Sequence, residues 1–149
     1  MNTPLLINAD AGRTYNALGD TLQFHLTGVE TNGKFTMCTV TTPPGGGPPP
    51  HLHENEDEWF YLMEGRVSFF AKGEWTELEP GAVAFAPRHS LHTFKNVGDT
   101  PSKMLVHTSP AGFEHFIAAL AAECEKAGGP DMTQVVQIAG AHGIQFAAP

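Results

Sequence analysis

Between Thr21 and Thr108 the apolar positions recur at every second residue, in short runs closed by Gly, Pro or acidic residues. Leu22, Phe24 and Leu26 share one side of Thr21 to Thr27, and Lys34 to Thr42 is a second run rich in Thr, Val and Phe. A period of two is that of a strand with one buried face. The pattern continues through Trp59 to Met63, Arg66 to Lys72, Trp75 to Leu78, Ala82 to Ala86, Leu91 to Asn96 and Lys103 to Thr108, with turns at Glu64-Gly65 and Lys72-Gly73-Glu74. Strands this short and this evenly spaced predict an antiparallel sandwich or barrel. The residues before Asp20 read as a polar lead.

After Ser109-Pro110 the period changes. Phe113, Phe116, Ile117, Leu120 and Cys124 recur at helical spacing, with Ser109 as the expected cap, Pro110 at the first helical position and Gly128-Gly129-Pro130 as the stop. A second helix is predicted from about Pro130 to His142, with Met132, Val135, Val136 and Ala139 on one face and Gly143 as its terminator. About 40 residues barely support a core of their own. The helices are therefore expected to pack on the outside of the β domain, in one domain of residues 1–149 with its barrel at about 20–108 and its helices at about 110–142.

Composition agrees with that reading. The 149 residues are 41% hydrophobic, which excludes a disordered chain, and the 16 Gly and 12 Pro favour many turns. A net charge of −8 argues against nucleic acid or an anionic membrane surface as partner, since both require a basic footprint. Met1 to Asp10 lack the basic and apolar regions of a secretory signal, and no apolar stretch reaches membrane-spanning length. Cys38 and Cys124 have neither CxxC spacing nor a framework-like count, so the expectation is a soluble, cytoplasmic protein with reduced thiols. The 8 histidines equal all Lys and Arg together.

Three of those histidines and one acid form a constellation. His51 and His53 are two apart, so on an extended segment both rings point to one face. The loop Pro43-Pro44-Gly45-Gly46-Gly47-Pro48-Pro49-Pro50 delivers them, because prolines supply almost no backbone donors and cannot sit inside a sheet. Glu58, five residues further on, returns a carboxylate toward the same pocket from the adjoining strand. Neutral imidazoles with one carboxylate suit a borderline divalent transition metal, and the lack of a nearby cysteine disfavours structural zinc. Parity on Leu91 to Asn96 places His92, Phe94 and Asn96 on one face, which makes His92 the natural fourth ligand. The acids Glu54, Glu56 and Asp57 read as a solvated loop. His25, His107, His115 and His142 lie at no ligand-like spacing.

The stretch Gly45-x5-His51-x-His53-x4-Glu58-x6-Gly65 resembles the first signature motif of the cupin superfamily, and Gly81-x5-Pro87-x-His89-x2-His92-x3-Asn96 resembles the second, with His89 where the family usually has Gly. The resemblance implies a double-stranded β-helix, a jelly-roll barrel of the all-β class with a short C-terminal helical extension, holding one divalent ion of Fe, Mn, Ni, Co, Cu or Zn on His51, His53, Glu58 and His92. His89 puts one turn in question, because Gly adopts positive φ freely and His does so uncommonly.

Within the superfamily, Pro48-Pro49-Pro50-His51-Leu52-His53, Asp57-Glu58-Trp59-Phe60-Tyr61, Ser109-Pro110-Ala111-Gly112-Phe113-Glu114 and the ending His142-Gly143-Ile144 resemble the single-domain quercetin 2,3-dioxygenase-like branch. That resemblance implies an O2-using dioxygenase of a small enolisable or aromatic, flavonol-like substrate, with Glu58 as both ligand and general base. The eight Lys and Arg are too few and too scattered to clamp phosphates, whereas Phe60, Leu62, Phe69, Phe85 and Phe94 are expected to form an apolar wall for a flat ligand. The other readings are a non-catalytic, metal-loaded small-ligand binder and a metal-assisted isomerase or decarboxylase. Trp59, Tyr61 and Met63, opposite in parity to Glu58, form an outward strip that predicts a homodimer.

Overall fold

The strand with the cleanest alternation organises the molecule. In the computed structural model, which describes residues 3–148, Ser102–Ser109 (β10) alternates buried and half-buried positions along its whole length and pairs antiparallel with strands on both sides. Its neighbours are Thr36–Thr42 (β3) and Asp57–Glu64 (β5). Register puts Val106 between Cys38 and Phe60, and Met104 between Val40 and Leu62, so one face of the sheet becomes a continuous apolar floor. Each such side chain, fully buried, contributes about 1.5–3 kcal/mol.

Arg13–Ala17 (β1), Asp20–Leu26 (β2) and Val83–Ala86 (β8) complete this sheet in the order β1-β2-β3-β10-β5-β8. The second sheet runs β11-β4-β9-β6-β7, built from Ile144–Phe146 (β11), His51–His53 (β4), His92–Asn96 (β9), Val67–Ala71 (β6) and Glu74–Leu78 (β7). The two antiparallel sheets face one another as the expected jelly roll. Beyond the runs legible in the sequence, β1 occupies what reads as a polar lead, Gly28–Thr31 (α1) is a single turn with a capping box between Thr27 and Glu30, and β11 pairs with β4.

The helices form as Phe113–Cys124 (α2) and Met132–Ala141 (α3). Ser109 and Pro110 do not open α2: Ser109 ends β10 and gives its hydroxyl to the Lys34 carbonyl, while Gly112 stands at the N-cap. Asp131 caps α3 by accepting from the Thr133 amide. The helices are not merely outside the barrel. Phe113, Phe116, Ile117 and Leu120 of α2 are buried against its interior, and Val135 and Ala139 of α3 belong to the same core. Among the described residues no helix is long and apolar enough to cross a membrane.

Candidate metal centre

The proline-rich loop lies against β9, where a Cβ on Gly47, at φ +151°, would collide with the Phe94 carbonyl oxygen. Only glycine permits that approach. Backbone bonds from Gly45 to the Asn96 carbonyl and from Asn96 to the Gly46 carbonyl fix the loop, and β4 emerges with His51 directly opposite His92. On the other sheet, Glu58 stands in register with Thr108 and Ala86, and Thr108 with Thr36, forming a buried polar row at one end of the apolar floor.

One ligand atom from each of His51, His53, Glu58 and His92 falls within 4.8 Å of the others. His53, Glu58 and His92 are buried, and His51 is half-buried on the open side. Each imidazole is oriented from behind. His51 Nδ1 lies 2.9 Å from the Pro49 carbonyl, His92 Nδ1 2.9 Å from the Ser90 carbonyl, and His53 Nδ1 3.1 Å from a carboxylate oxygen of Glu56. These partners are acceptors only, so every Nδ1 carries the proton and every Nε2 is left to the cluster.

The donor chemistry fits a cation. His53 Nε2 and His92 Nε2 sit 3.1 and 3.0 Å from the same Glu58 oxygen. With both Nδ1 atoms protonated, neutral rings would turn lone pairs toward a carboxylate, an arrangement relieved by a metal ion or by protonation. His53 Nε2 is also a buried nitrogen without a hydrogen-bond partner of good geometry. In the metal-free state burial works to raise the Glu58 carboxyl, but the charge of the adjacent His53 and the bond from His92 outweigh it and hold the group below the usual carboxylate range. Burial and the neighbouring rings push His51 down to about 4 against the pull of Glu58. For His53 burial is outweighed by Glu58 and Glu56, which push the ring up to about 10.

Glu56 corrects the reading of that stretch as solvated: it is 5% exposed and hydrogen-bonds His53. Asp57 instead pairs with Arg88, and Glu54 accepts from Gln145. The signal available in the sequence is Glu56 three residues after His53. His89 adopts φ +67°, as the family's Gly would, lies exposed, and donates its backbone N–H to the His53 carbonyl at 2.7 Å. The remaining histidines lie outside the cluster: His25 bonds Thr39, His107 stacks on Trp59, His142 bonds the Ile138 carbonyl, and His115 is exposed.

A cavity of about 90 Å³ opens onto His51, His53 and Glu58. Phe60 and Phe94 line it as expected, whereas Leu62 is in the core and Phe69 lies behind, stacked at 8° on the His92 ring. Phe85 is not part of the wall. It is 62% exposed, because β8 turns Ala84 and Ala86 inward and Ala86 leaves room for Glu58 across the register. The rest of the wall, unanticipated from sequence, comes from Asp20, Leu22 and Val40, the α2 side chains, and Ile144 and Phe146 of β11. The helical stripe Phe113, Phe116, Ile117, Leu120 was the available signal. Among the described residues no Lys or Arg lines the cavity.

Residues 38–108 match the cupin domain family. Over 90 residues the chain is 29% identical to quercetin 2,3-dioxygenase of Bacillus subtilis (strain 168), a match covering 60% of this chain and 26% of that protein. It is 35% identical over 60 residues to polyketide synthase CurC of Streptomyces cyaneus, covering 40% of this chain and 39% of that protein. The chain thus matches well under two thirds of the length of these relatives. The structure of KdgF from a Halomonas species superposes with a TM-score of 0.67 at 20% identity over 76% of this chain and 99% of that one, a likeness of fold. The family match runs through both strands that carry His51, His53 and His92 and through Glu58 between them, so residues 38–108 form a cupin domain with a buried three-histidine, one-glutamate cluster that could hold a metal ion.

Proposed function

We propose that this cupin is a metal-dependent dioxygenase that cleaves a carbon–carbon bond in a small, enolisable or aromatic substrate. The observation that carries the reading is the apolar cavity opening onto His51, His53 and Glu58. A divalent transition metal held by His51, His53, Glu58 and His92 would supply Lewis acidity and open positions for substrate and O2. Both oxygen atoms enter the products, so no external reductant is required.

The chain's residues have separate tasks. Glu58, on the cavity wall, accepts the hydroxyl proton of the bound enol or phenol, and Glu56, the Ser90 carbonyl and the Pro49 carbonyl keep the three imidazoles in register. Phe60, Phe94, Phe113 and Phe116 exclude water and pack on the ring. An engineered cavity of about 150 Å³ takes one benzene, so this one, at about 90 Å³, encloses part of one ring, and the rest of the substrate extends past the mouth. The likeness to quercetin 2,3-dioxygenase supports the reaction class.

An oxygen electrode tests this with metal-loaded protein and a panel running from single-ring catechols and enols to flavonols. Substrate-dependent O2 uptake is the expected result. Turnover without O2 uptake would instead establish an isomerase or decarboxylase, and binding without turnover a ligand-binding cupin. We also infer that the active form is a homodimer formed through the outer face of β5 and β8, in a compartment where Cys38 and Cys124 stay reduced, as in the cytoplasm.

A further inference from the structure

Among the described residues, four polar side chains line the metal cavity: His51, His53 and Glu58 of the cluster, and Asp20. Asp20 is the only one without a place in the ligand set. It opens β2 immediately after the Leu18-Gly19 turn and shares a wall with Leu22 and Val40. Among the described residues no Lys or Arg lines the cavity to pair with it. Burial pushes its carboxyl up to about 6, and the nearby Thr42 hydroxyl draws it only part of the way back. A half-buried acid with no ion-pair partner opposes folding.

The turn that delivers Asp20 is irregular as well. Leu18 and Gly19 have φ of +48° and +90°, the signs of a hairpin turn whose first position prefers Asn, Asp or Gly. A leucine held there is strained, and its side chain lines the same cavity. Two unfavourable choices on one hairpin both serve the cavity.

We propose that Asp20 is the ligand-selecting residue of this cavity: it hydrogen-bonds a hydroxyl of an uncharged ring seated on the metal cluster and rejects ligands that bring an anionic group to that wall. The inference rests on the cavity being the substrate site, as proposed above, and deepens it by naming the substrate class: neutral hydroxylated rings, not carboxylates or phosphates. In either protonation state Asp20 serves a hydroxyl, whereas a carboxylate brought to the Asp20 wall meets either a like charge or a proton it must share, with no Lys or Arg beside it.

The test uses cobalt(II)-loaded protein, whose visible spectrum reports ligand arrival at the metal, titrated with 3,4-dihydroxybenzyl alcohol and with 3,4-dihydroxybenzoate. Both present the same diol to the metal and differ at the far end. The wild type should bind the alcohol about tenfold more tightly, the order expected when a like charge is brought against a partly buried one. In Asp20→Asn the preference should shrink to within about threefold, chiefly through tighter benzoate binding, with the ligand-free cobalt spectrum unchanged. Asp20→Ala provides the same comparison should the asparagine variant fold poorly. A wild type without the preference, or either variant retaining it, overturns the role of Asp20 while leaving the substrate site intact. A cobalt spectrum that neither diol perturbs overturns the substrate site itself, and the selection with it.

Discussion

His53 is held between two buried carboxylates: its Nδ1 donates to Glu56 at 3.1 Å while its Nε2 lies 3.1 Å from Glu58. Glu58 belongs to the cluster that could hold a metal ion, and Glu56 sets the tautomer and angle of the ring beside it. Loss of such an outer partner typically weakens metal binding by about 10–100-fold. Glu56→Ala should fall in that range, and Glu56→Gln, which keeps an acceptor, should lose less. Competition against a chromogenic chelator measures both. Wild-type affinity in Glu56→Ala would show that the buried carboxylate serves only packing.

The same pair makes metal uptake pH-dependent. In the metal-free protein Glu58 and Glu56 outweigh burial and raise His53 to about 10, so the ring holds a proton that a metal must displace. A raised histidine stabilises the metal-free fold fully below its ordinary value near 6.5, and that contribution is lost as pH climbs through the folded value. Metal therefore adds more at high pH, where it competes with fewer protons. At a thousandfold excess over Kd it contributes about 4 kcal/mol, or a rise in Tm on the order of 10 °C. Scanning calorimetry with and without nickel should show a larger rise at pH 8.5 than at pH 6. The reverse order would mean that the His53 proton is not the one displaced.

The parts of this arrangement that follow from local periodicity are legible in the sequence. His51 and His53 share a face because extended residues two apart must, and Glu58, Phe60 and Leu62 point inward by the same rule. The stripe of α2 is equally plain, but its position over the cavity depends on contacts with β1 and with α3, which in turn packs on β11, and the two strands give little signal. In β1 only Ala17 is buried, and β11 has three residues. Glu56 is hidden within an acidic run whose burial is decided by a loop folding back on His53. Phe85 misleads because size suggests an inward aromatic, whereas register with Trp59 sends it outward and gives the space near Glu58 to Ala86.

That outward aromatic bears on assembly. Register places Phe85 beside Trp59 and Val83 beside Tyr61, and Tyr61, Met63, Val83 and Phe85 are 45%, 43%, 63% and 62% exposed. The flanking charges are already paired, Asp57 with Arg88 and Lys103 with Glu64, so the face has little charge of its own although the chain carries −8. A second copy can therefore meet it without opposing like charges. Sedimentation should give twice the 16.0 kDa chain mass, and Phe85→Glu should give the monomer with its metal content unchanged. A monomeric wild type would exclude this face as an interface between copies.

Asp20 sets ligand selection against stability, which a thermal scan separates. Its folded pKa of about 6 lies above the ordinary 3.8, so folding favours the neutral form. The benefit is complete below about pH 4 and disappears as pH rises through 6, leaving an ionised, half-buried carboxylate at neutral pH. A shift of that size, discounted for partial exposure, corresponds to about 1–2 kcal/mol. Asp20→Asn should therefore raise Tm by about 2–8 °C at pH 7.5 and change it little at pH 4, since the amide resembles the protonated acid. A fall in Tm at pH 7.5 would mean that the ionised carboxylate is bonded by the fold rather than exposed to the cavity. A gain at neutral pH that vanishes in acid would mark a residue retained against stability, as expected of a group whose purpose is to meet a ligand.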